Sequence, residues 1–239
     1  AARFPGGGRH SASHHEGWVM LETLSNYDVA AAVWVTIQLS VLSAMGALII
    51  GTIVAVLRVS PVAVLRGIGT SYVNIFRNTP LTVLLTLCVL GLSLLVGLQL
   101  SQDLSKDAFR WAVVGLSAYH AAFVCEAIRS GVNTVPAGQA EAARSIGLTF
   151  TQSLREVLLP QAFRGSIAPL GSVLIALIKS TTVAAVVGVA DTAKLLATIT
   201  ENEGAQLGVF FVIAMIFVVL TLPIGVLATS LSQRLAVRR

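Results

Sequence analysis

Lys179 stands in an otherwise apolar run with Ser180, Thr181 and Thr182 beside it, and Arg77, Asn78 and Thr79 precede Pro80 between two further apolar stretches. A cation flanked by hydroxyls or amides in such a setting can attract a carboxylate, because charge taken out of water needs an anion, a carbonyl or a water-filled cavity. Each group also has a plainer reading. Lys179 can snorkel or bind backbone, and Asn78 or Thr79 can cap a helix whose first turn contains Pro80. A third apolar segment holds Tyr119, His120, Glu126 and Arg129. Glu126 and Arg129 lie one turn apart and predict a local ion pair, while His120 reads as a neutral, hydrogen-bonded core residue. Nothing in the sequence makes a convincing nucleophile and base pair, a metal-ligand cluster or a Gly-x-x-x-x-Gly-Lys-Ser/Thr phosphate loop. The chemistry open to these residues is recognition rather than bond making, and the chain is expected to be no enzyme and to hold no cofactor or metal itself.

The elements that would position these residues are membrane helices. Of 239 residues, 55% are hydrophobic and 11% charged, and the mean hydropathy is +0.84, outside the range of an ordinary soluble domain. Segments of about 20 apolar residues span a bilayer, and five are expected: Val29 to Leu57, Leu81 to Leu98, Trp111 to Ile128, Ser166 to Val189 and Gln206 to Leu231. The basic residues are partitioned. Arg58, Arg66 and Arg77, then Arg129, Arg144, Arg155 and Arg164, then Arg234, Arg238 and Arg239 belong to alternate connections and the tail, whereas Lys106, Arg110 and Lys194 are offset by Asp103, Asp107, Asp191, Glu201 and Glu203. The positive-inside rule then puts the N-terminus outside and the C-terminus inside. Basic residues at helix ends on one side also explain the net charge of +5 without nucleic acid. Cys88 and Cys125 each fall within a span and read as small core residues.

Residues 1–28 differ from the rest: a Gly-, Ser- and His-rich tail containing His10, His14 and His15, with Met20 a candidate start, leads to a short amphipathic stretch from Leu21 to Tyr27 at the outer surface. In the first span Ser40, Ser43, Ala44, Gly46 and Gly51 form a small-residue face suited to close helix packing, expected to meet a neighbouring subunit. The segment 191–203 reads as an external amphipathic element, and Pro223 and Gly225 as a kink in the last span.

Gly138 to Pro160 is a polar island among these spans. Thr134 is expected to cap a short helix with Pro136 in its first turn, and Gly147 to end it in the left-handed conformation. Thr149 and Thr151 are candidate caps of a second helix, with Leu154, Val157 and Leu158 on one face and Pro160 limiting its length. Glu141 and Arg144 can pair across one turn. The spacing resembles the EAA loop of ABC importer membrane subunits: Glu141, Ala142, Ala143, Gly147, Leu159 and Pro160 match, with Val157 in place of isoleucine. Phe76 to Leu81 resembles the Arg-Gly/Asn-Thr-Pro-Leu signature of the polar amino-acid uptake branch. Ala122, Phe123, Glu126, Arg129 and Gly131 resemble the run preceding that loop, with Phe123 where the branch has tyrosine, and Lys179 to Thr182 resembles its Lys-x-Thr-Thr/Ser element. VWVTIQLS, VLRVSPVAVLR, FRNTPLT, GQAEAARS and LAVRR are most similar to permease subunits of actinobacterial glutamate importers.

The resemblance implies an all-α integral membrane protein with the type I importer permease fold over residues 29–239, in a bacterial plasma membrane, with a cytoplasmic coupling loop at about 131–165. Its implied partners are a homodimeric cytoplasmic ATPase carrying ATP and magnesium, a second homologous permease, an extracellular solute-binding protein, membrane lipid and a polar amino acid, most closely L-glutamate. Glu141, Ala142, Ala143, Gly147, Leu159 and Pro160 would couple to the ATPase. Arg77, Asn78, Thr79, Lys179, Thr181 and Thr182 are the candidates for the translocation path. The alternative reading is an ion-coupled amino-acid carrier or channel without an ATPase, suggested by Lys179, His120 and Glu126.

Overall fold

A computed structural model describes residues 22–60, 62–149 and 152–235. Within them every regular element is a helix. Helix α1, Val29–Val59, begins at Asp28, whose Oδ1 accepts from the Ala31 amide at 2.9 Å. Amphipathic α2, Ala63–Asn78, is followed by α3, Leu81–Leu95, which starts as α-helix and loosens to a π-helix over Leu87–Leu95. Helices α2 and α3 meet at 102°. Asn78 and Thr79 do not cap α3: their side chains donate back to the Asn74 and Ile75 carbonyls at 2.7 and 2.8 Å. They close the end of α2, and Pro80, with no N–H to satisfy, opens α3 without a side-chain cap.

Helix α4, Leu104–Asn133, is the central element. It starts seven residues before the expected Trp111 because Asp103 caps it, accepting from Ser105 and Lys106 amides at 2.9 and 3.1 Å. Asp107 is consequently no loop charge. It is buried and accepts from the Ser93 hydroxyl and from the Leu100 and Ser101 amides, which ties the π-helix and the following connection to α4. The helical part of the second expected span ends at Leu95 rather than Leu98, where Gly97 turns with φ +79°.

Helix α5, Ala137–Ser145, follows. A π-turn at Ser153–Leu158 leads into α6, Leu159–Ser180, which tightens to a 3₁₀-helix over Thr181–Val187. Helix α7, Thr192–Glu203, and α8, Leu207–Leu235, are the last of the described elements. Among the described residues, four helices are long and apolar enough to cross a membrane, and a fifth crossing results if the bent α2–α3 pair counts as one. Helix α8 continues through Pro223. Segment 191–203, expected as an amphipathic element, is helix α7 with its Asp191 cap, and Ile199 is buried against Val209 and Ile213 of α8 and packed by Leu24 and Tyr27. The histidine-rich tail, Met20, Leu21, Pro61, Phe150 and Thr151 lie outside the described residues.

The small-residue face of α1 packs against α4 of the same chain, not against a neighbour. A Cβ on Gly51 would stand 2.6 Å from Val124 and 2.8 Å from the Ala121 carbonyl, and one on Gly46 would strike Ser117. Ser117 donates across this contact to the Ser43 carbonyl at 3.3 Å. Burial of apolar surface drives little between helices in lipid, so close approach and interhelical hydrogen bonds have to hold the pair. Gly51→Leu is expected to destabilise the protein by about 1–3 kcal/mol through overpacking, read as a lower melting temperature in detergent.

At the opposite end of α1, Thr36 Oγ1 lies 2.7 Å from Thr192 Oγ1 and accepts from the Thr192 amide at 3.0 Å. Asp191 caps α7 through Oδ1, which accepts from the Lys194 amide at 2.9 Å, while Oδ2 is buried without a partner. Loss of water pushes the carboxyl up from 3.8 to about 6, against the opposing effect of its backbone hydrogen bonds. Folding favours the protonated form, so this stability is present at low pH and is lost as pH rises through the folded value. The melting temperature should fall between about pH 4 and pH 6.5, and Asp191→Asn should flatten that slope.

Candidate functional site

The polar island folds as helix, glycine turn, helix. Gly147 takes φ +86°, a conformation in which a Cβ would be strained. The Gly147 amide donates to the Arg144 carbonyl at 3.0 Å and the Leu148 amide to the Ala143 carbonyl at 3.1 Å. These are the paired bonds of a Schellman ending, which satisfies carbonyls that the helix leaves open. Thr149 and Gln152 then form a reciprocal capping box: the Thr149 amide donates to Gln152 Oε1 at 2.9 Å and the Gln152 amide to Thr149 Oγ1 at 3.3 Å.

Other expectations for this loop are corrected. Thr134 ends α4 instead of starting α5, its hydroxyl donating to the Gly131 carbonyl at 2.7 Å; Pro136 is the residue before α5 and caps with no side chain. Glu141 and Arg144 do not pair, because Arg144 Nε donates to the Ala140 carbonyl at 3.2 Å in an exposed position where an ion pair gains little. Pro160 does not end its helix. It falls in the first turn of α6, where its missing N–H leaves no hydrogen bond unmade, and the helix runs on from the π-turn.

Helix α5 stands out from the bundle. Glu141 and Ala142 are exposed and Ala143 is buried, while Ile146, 77% exposed, and Leu159 present apolar surface to the outside. Beneath the helix a cleft of about 220 Å³ is lined by Val135, Ala137, Ala140, Leu158 and Ala162. The roots of the loop are crossed tightly: a Cβ on Gly131 of α4 would collide with Ser166 and the Ala162 carbonyl of α6, and one on Gly165 would meet Thr134. Displacement of α5 must therefore reach α4 and α6 together, since packed interiors transmit strain.

The remaining candidates separate into two places. Arg77, at the end of α2, has its guanidinium 5.7 Å from the centre of the Phe123 ring and 3.9 Å from Glu126 Oε1. Arg129 is 3.6 Å from the same oxygen, which places the expected one-turn pair. Sequence reasoning missed the principal partner: Arg58, at the end of α1, closes directly on Glu126 Oε1, with only 13% of its side chain exposed. Its signal was its position at a span's end, which marks orientation and says nothing of a contact with α4. Tyr72 adds a hydrogen bond from its hydroxyl to the Ala118 carbonyl at 2.6 Å.

Elsewhere, Lys179 is exposed in the last turn of α6 and forms no ion pair among the described residues. Thr182 Oγ1 donates to the Lys179 carbonyl and Thr181 Oγ1 to the Ile178 carbonyl, each at 2.8 Å. These bonds accompany the tightening from α- to 3₁₀-helix. Thr181 is fully buried and Thr182 half-buried. His120 is buried with Nδ1 donating to the Leu116 carbonyl at 3.1 Å, beside Tyr119 and Phe123. Cys88 and Cys125 are buried and unbridged. No group of His, Cys, Asp and Glu suited to a metal occurs among the described residues.

Several membrane-length helices, with a polar helix–glycine–helix unit set at the junction of two of them, define a multi-pass membrane protein. Residues 47–237 match the family described as binding-protein-dependent transport system inner membrane component, and the chain belongs to that family. It is 49% identical over 214 residues to the glutamate transport system permease protein GluC of Corynebacterium efficiens, covering 87% of this chain and 94% of that one. It is 34% identical to the probable glutamine ABC transporter permease protein GlnM of Bacillus subtilis, covering 84% and 89%. It is 32% identical to the glutamate/aspartate import permease protein GltK of Escherichia coli, covering 84% and 91%. Among solved structures, an amino acid ABC transporter crystallised with histidines superposes with a TM-score of 0.78 at 29% identity, covering 86% of this chain and 93% of that one. The MetNI methionine ABC transporter in an inward-facing conformation shares the fold, with a TM-score of 0.71 at 23% identity, covering 87% and 96%.

Arg58→Met is expected to lower stability by about 1–3 kcal/mol, because it strips Glu126 of its nearest cation in a part-buried site. Adding Glu126→Gln should recover part of the loss, measured as the coupling energy of a double-mutant cycle in detergent.

Proposed function

We propose that this chain is the permease subunit of an ATP-driven importer of polar amino acids, with L-glutamate as its substrate. Its residues 29–239 form a transmembrane domain of five spans with the N-terminus outside, the C-terminus inside and the loop at about 131–165 cytoplasmic, an orientation supported by the arginines gathered at alternate helix ends. A second, homologous permease completes the path, a homodimeric ATPase holding ATP and magnesium sits on the cytoplasmic face, and an extracellular binding protein delivers the amino acid. The likeness to Corynebacterium and Escherichia permeases named for glutamate supports the choice of substrate.

The observation that carries this reading is the exposed helix α5, closed by Gly147 at φ +86° and rooted where α4 and α6 cross. Exposed Ala142 lets an ATPase groove approach the backbone, buried Ala143 lets α5 lie close on its own chain, Glu141 supplies charge at the rim of the groove, and Leu159 with Pro160 holds the start of α6. Closure of the ATPase dimer then pushes α5, and the glycine crossings at Gly131 and Gly165 pass the displacement to both spans. Transport follows by alternating access, in which the packed helices exchange two arrangements. Arg77, Asn78 and Thr79 at the α2–α3 bend, and Lys179, Thr181 and Thr182 at the 3₁₀ transition, are the residues of the path, their polar groups being suited to water-lined depth.

Purification of the chain from its native membrane in mild detergent should bring down an ATPase, a second permease and a binding protein. An intact chain that repeatedly returns without an ATPase would favour an ion-coupled carrier. In the assembled complex, Gly147→Asp should leave ATP hydrolysis running while uptake falls to background, since aspartate tolerates the turn poorly and adds a charge at the contact. Normal uptake by that variant would defeat the coupling role.

A further inference from the structure

Among the described residues, Glu126 is the only carboxylate in an ion pair, and three arginines share it. They come from three helices: Arg58 from α1, Arg77 from α2 and Arg129 from α4. The sharing is unequal. Arg58 closes on Oε1 and is largely buried, whereas Arg77 and Arg129 stand off at 3.9 and 3.6 Å with 49% and 34% of their side chains exposed. One carboxylate neutralises one guanidinium, so the cluster keeps two uncompensated positive charges. Near low-dielectric protein and lipid such a surplus has a strong pull on anions. The Phe123 face offers Arg77 some compensation, but a cation–π contact is weaker than a counter-ion.

Resting on the permease reading above, we propose that Arg77 and Arg129 form a low-affinity site for the substrate's carboxylate, and that Glu126 is its built-in competitor. Both guanidinium groups face the same Glu126 oxygen from just beyond hydrogen-bond distance. A carboxylate entering between them can accept a hydrogen bond from each while Glu126 stays on Arg58. With the site empty, Glu126 partly quenches the two cations and holds them together. With substrate present, it limits the attraction, which keeps release fast; a transport site must bind strongly enough to load and weakly enough to empty. The bend at Thr79–Pro80 directly after Arg77 keeps that side chain at a helix end, free of a continuing helix on its far side. Arg58 is the positioning residue, since it keeps Glu126 from closing fully on the other two.

The test uses the whole complex of this chain, its partner permease and its ATPase in phosphatidylcholine nanodiscs. Equilibrium binding of radiolabelled L-glutamate is measured without binding protein or nucleotide, and uptake is measured in proteoliposomes. Arg77→Gln is expected to weaken binding about tenfold, the scale of a lost charge-assisted hydrogen bond, with Arg77→Lys recovering part of it. Glu126→Gln is expected to tighten binding about tenfold and to lower kcat and KM together, because a competitor is removed and release is slowed. A merely structural role predicts the reverse for Glu126→Gln, weaker binding and less assembled complex, and that result would overturn the proposal. If Glu126→Gln does not assemble, unchanged glutamate affinity in both Arg77→Gln and Arg129→Gln would overturn it as well. Should glutamate not bind while inorganic phosphate binds and responds to the same variants, the anion site stands and the choice of substrate falls. Displacement of glutamate by phosphatidylglycerol in the nanodisc would identify a lipid headgroup as the occupant and overturn the transport role.

Discussion

Close approach of helix backbones to α4 is the constraint on which the rest of this structure depends. Lipid tails are as apolar as leucine, so burial alone does little to hold membrane helices together, and packing distance has to do it. Gly46 and Gly51 bring α1 onto α4, and Gly115 leaves room on α4 for Leu85 of α3. At its far end Gly131 admits α6. Because α4 is shared by these contacts, it cannot move without taking its neighbours with it. A displacement of the small exposed helix between α4 and α6 would therefore be felt across the bundle.

Polar groups within this bundle follow the same economy. Asp107 is buried, yet it accepts from a hydroxyl and two amides, which replace the hydration it has lost. Asn78, Thr79, Thr181 and Thr182 turn inward on their own helices and satisfy carbonyls where the helix breaks or tightens. Glu126 is different. It gathers more cations than it can neutralise, and among the described residues no other carboxylate answers them. An imbalance of this kind in a membrane protein raises the energy of the empty state and lowers that of any state containing an anion.

The family relationship and the local physics support each other without duplicating. Sequence similarity over nearly the whole chain places the protein among binding-protein-dependent transport components, and the Schellman ending at Gly147 with the capping box at Thr149 and Gln152 explains why the loop keeps its shape. The stop at Gly147 and the start at Thr149 both act through bonds between residues close together in the chain, so residue type alone was enough to find the turn. Boundaries that depended on choosing between neighbouring caps were less legible. Thr134 can serve the end of one helix or the start of the next, and its hydroxyl went to Gly131 because α4 already extended to Asn133.

The apolar spans, the polar helix–turn–helix between two of them, and the left-handed glycine at 147 were determined by the sequence itself. They arise from hydropathy over about 20 residues and from backbone preferences of single residues, neither of which needs a distant partner. Only the tertiary structure decided that Gly51 faces Val124 of its own chain, that Asp107 is buried under the preceding connection, and that Arg58 closes on Glu126. Those outcomes join residues far apart in the chain. They are set by which helix faces meet and how closely, and hydropathy or spacing along one segment carries no record of the surface against which it will pack.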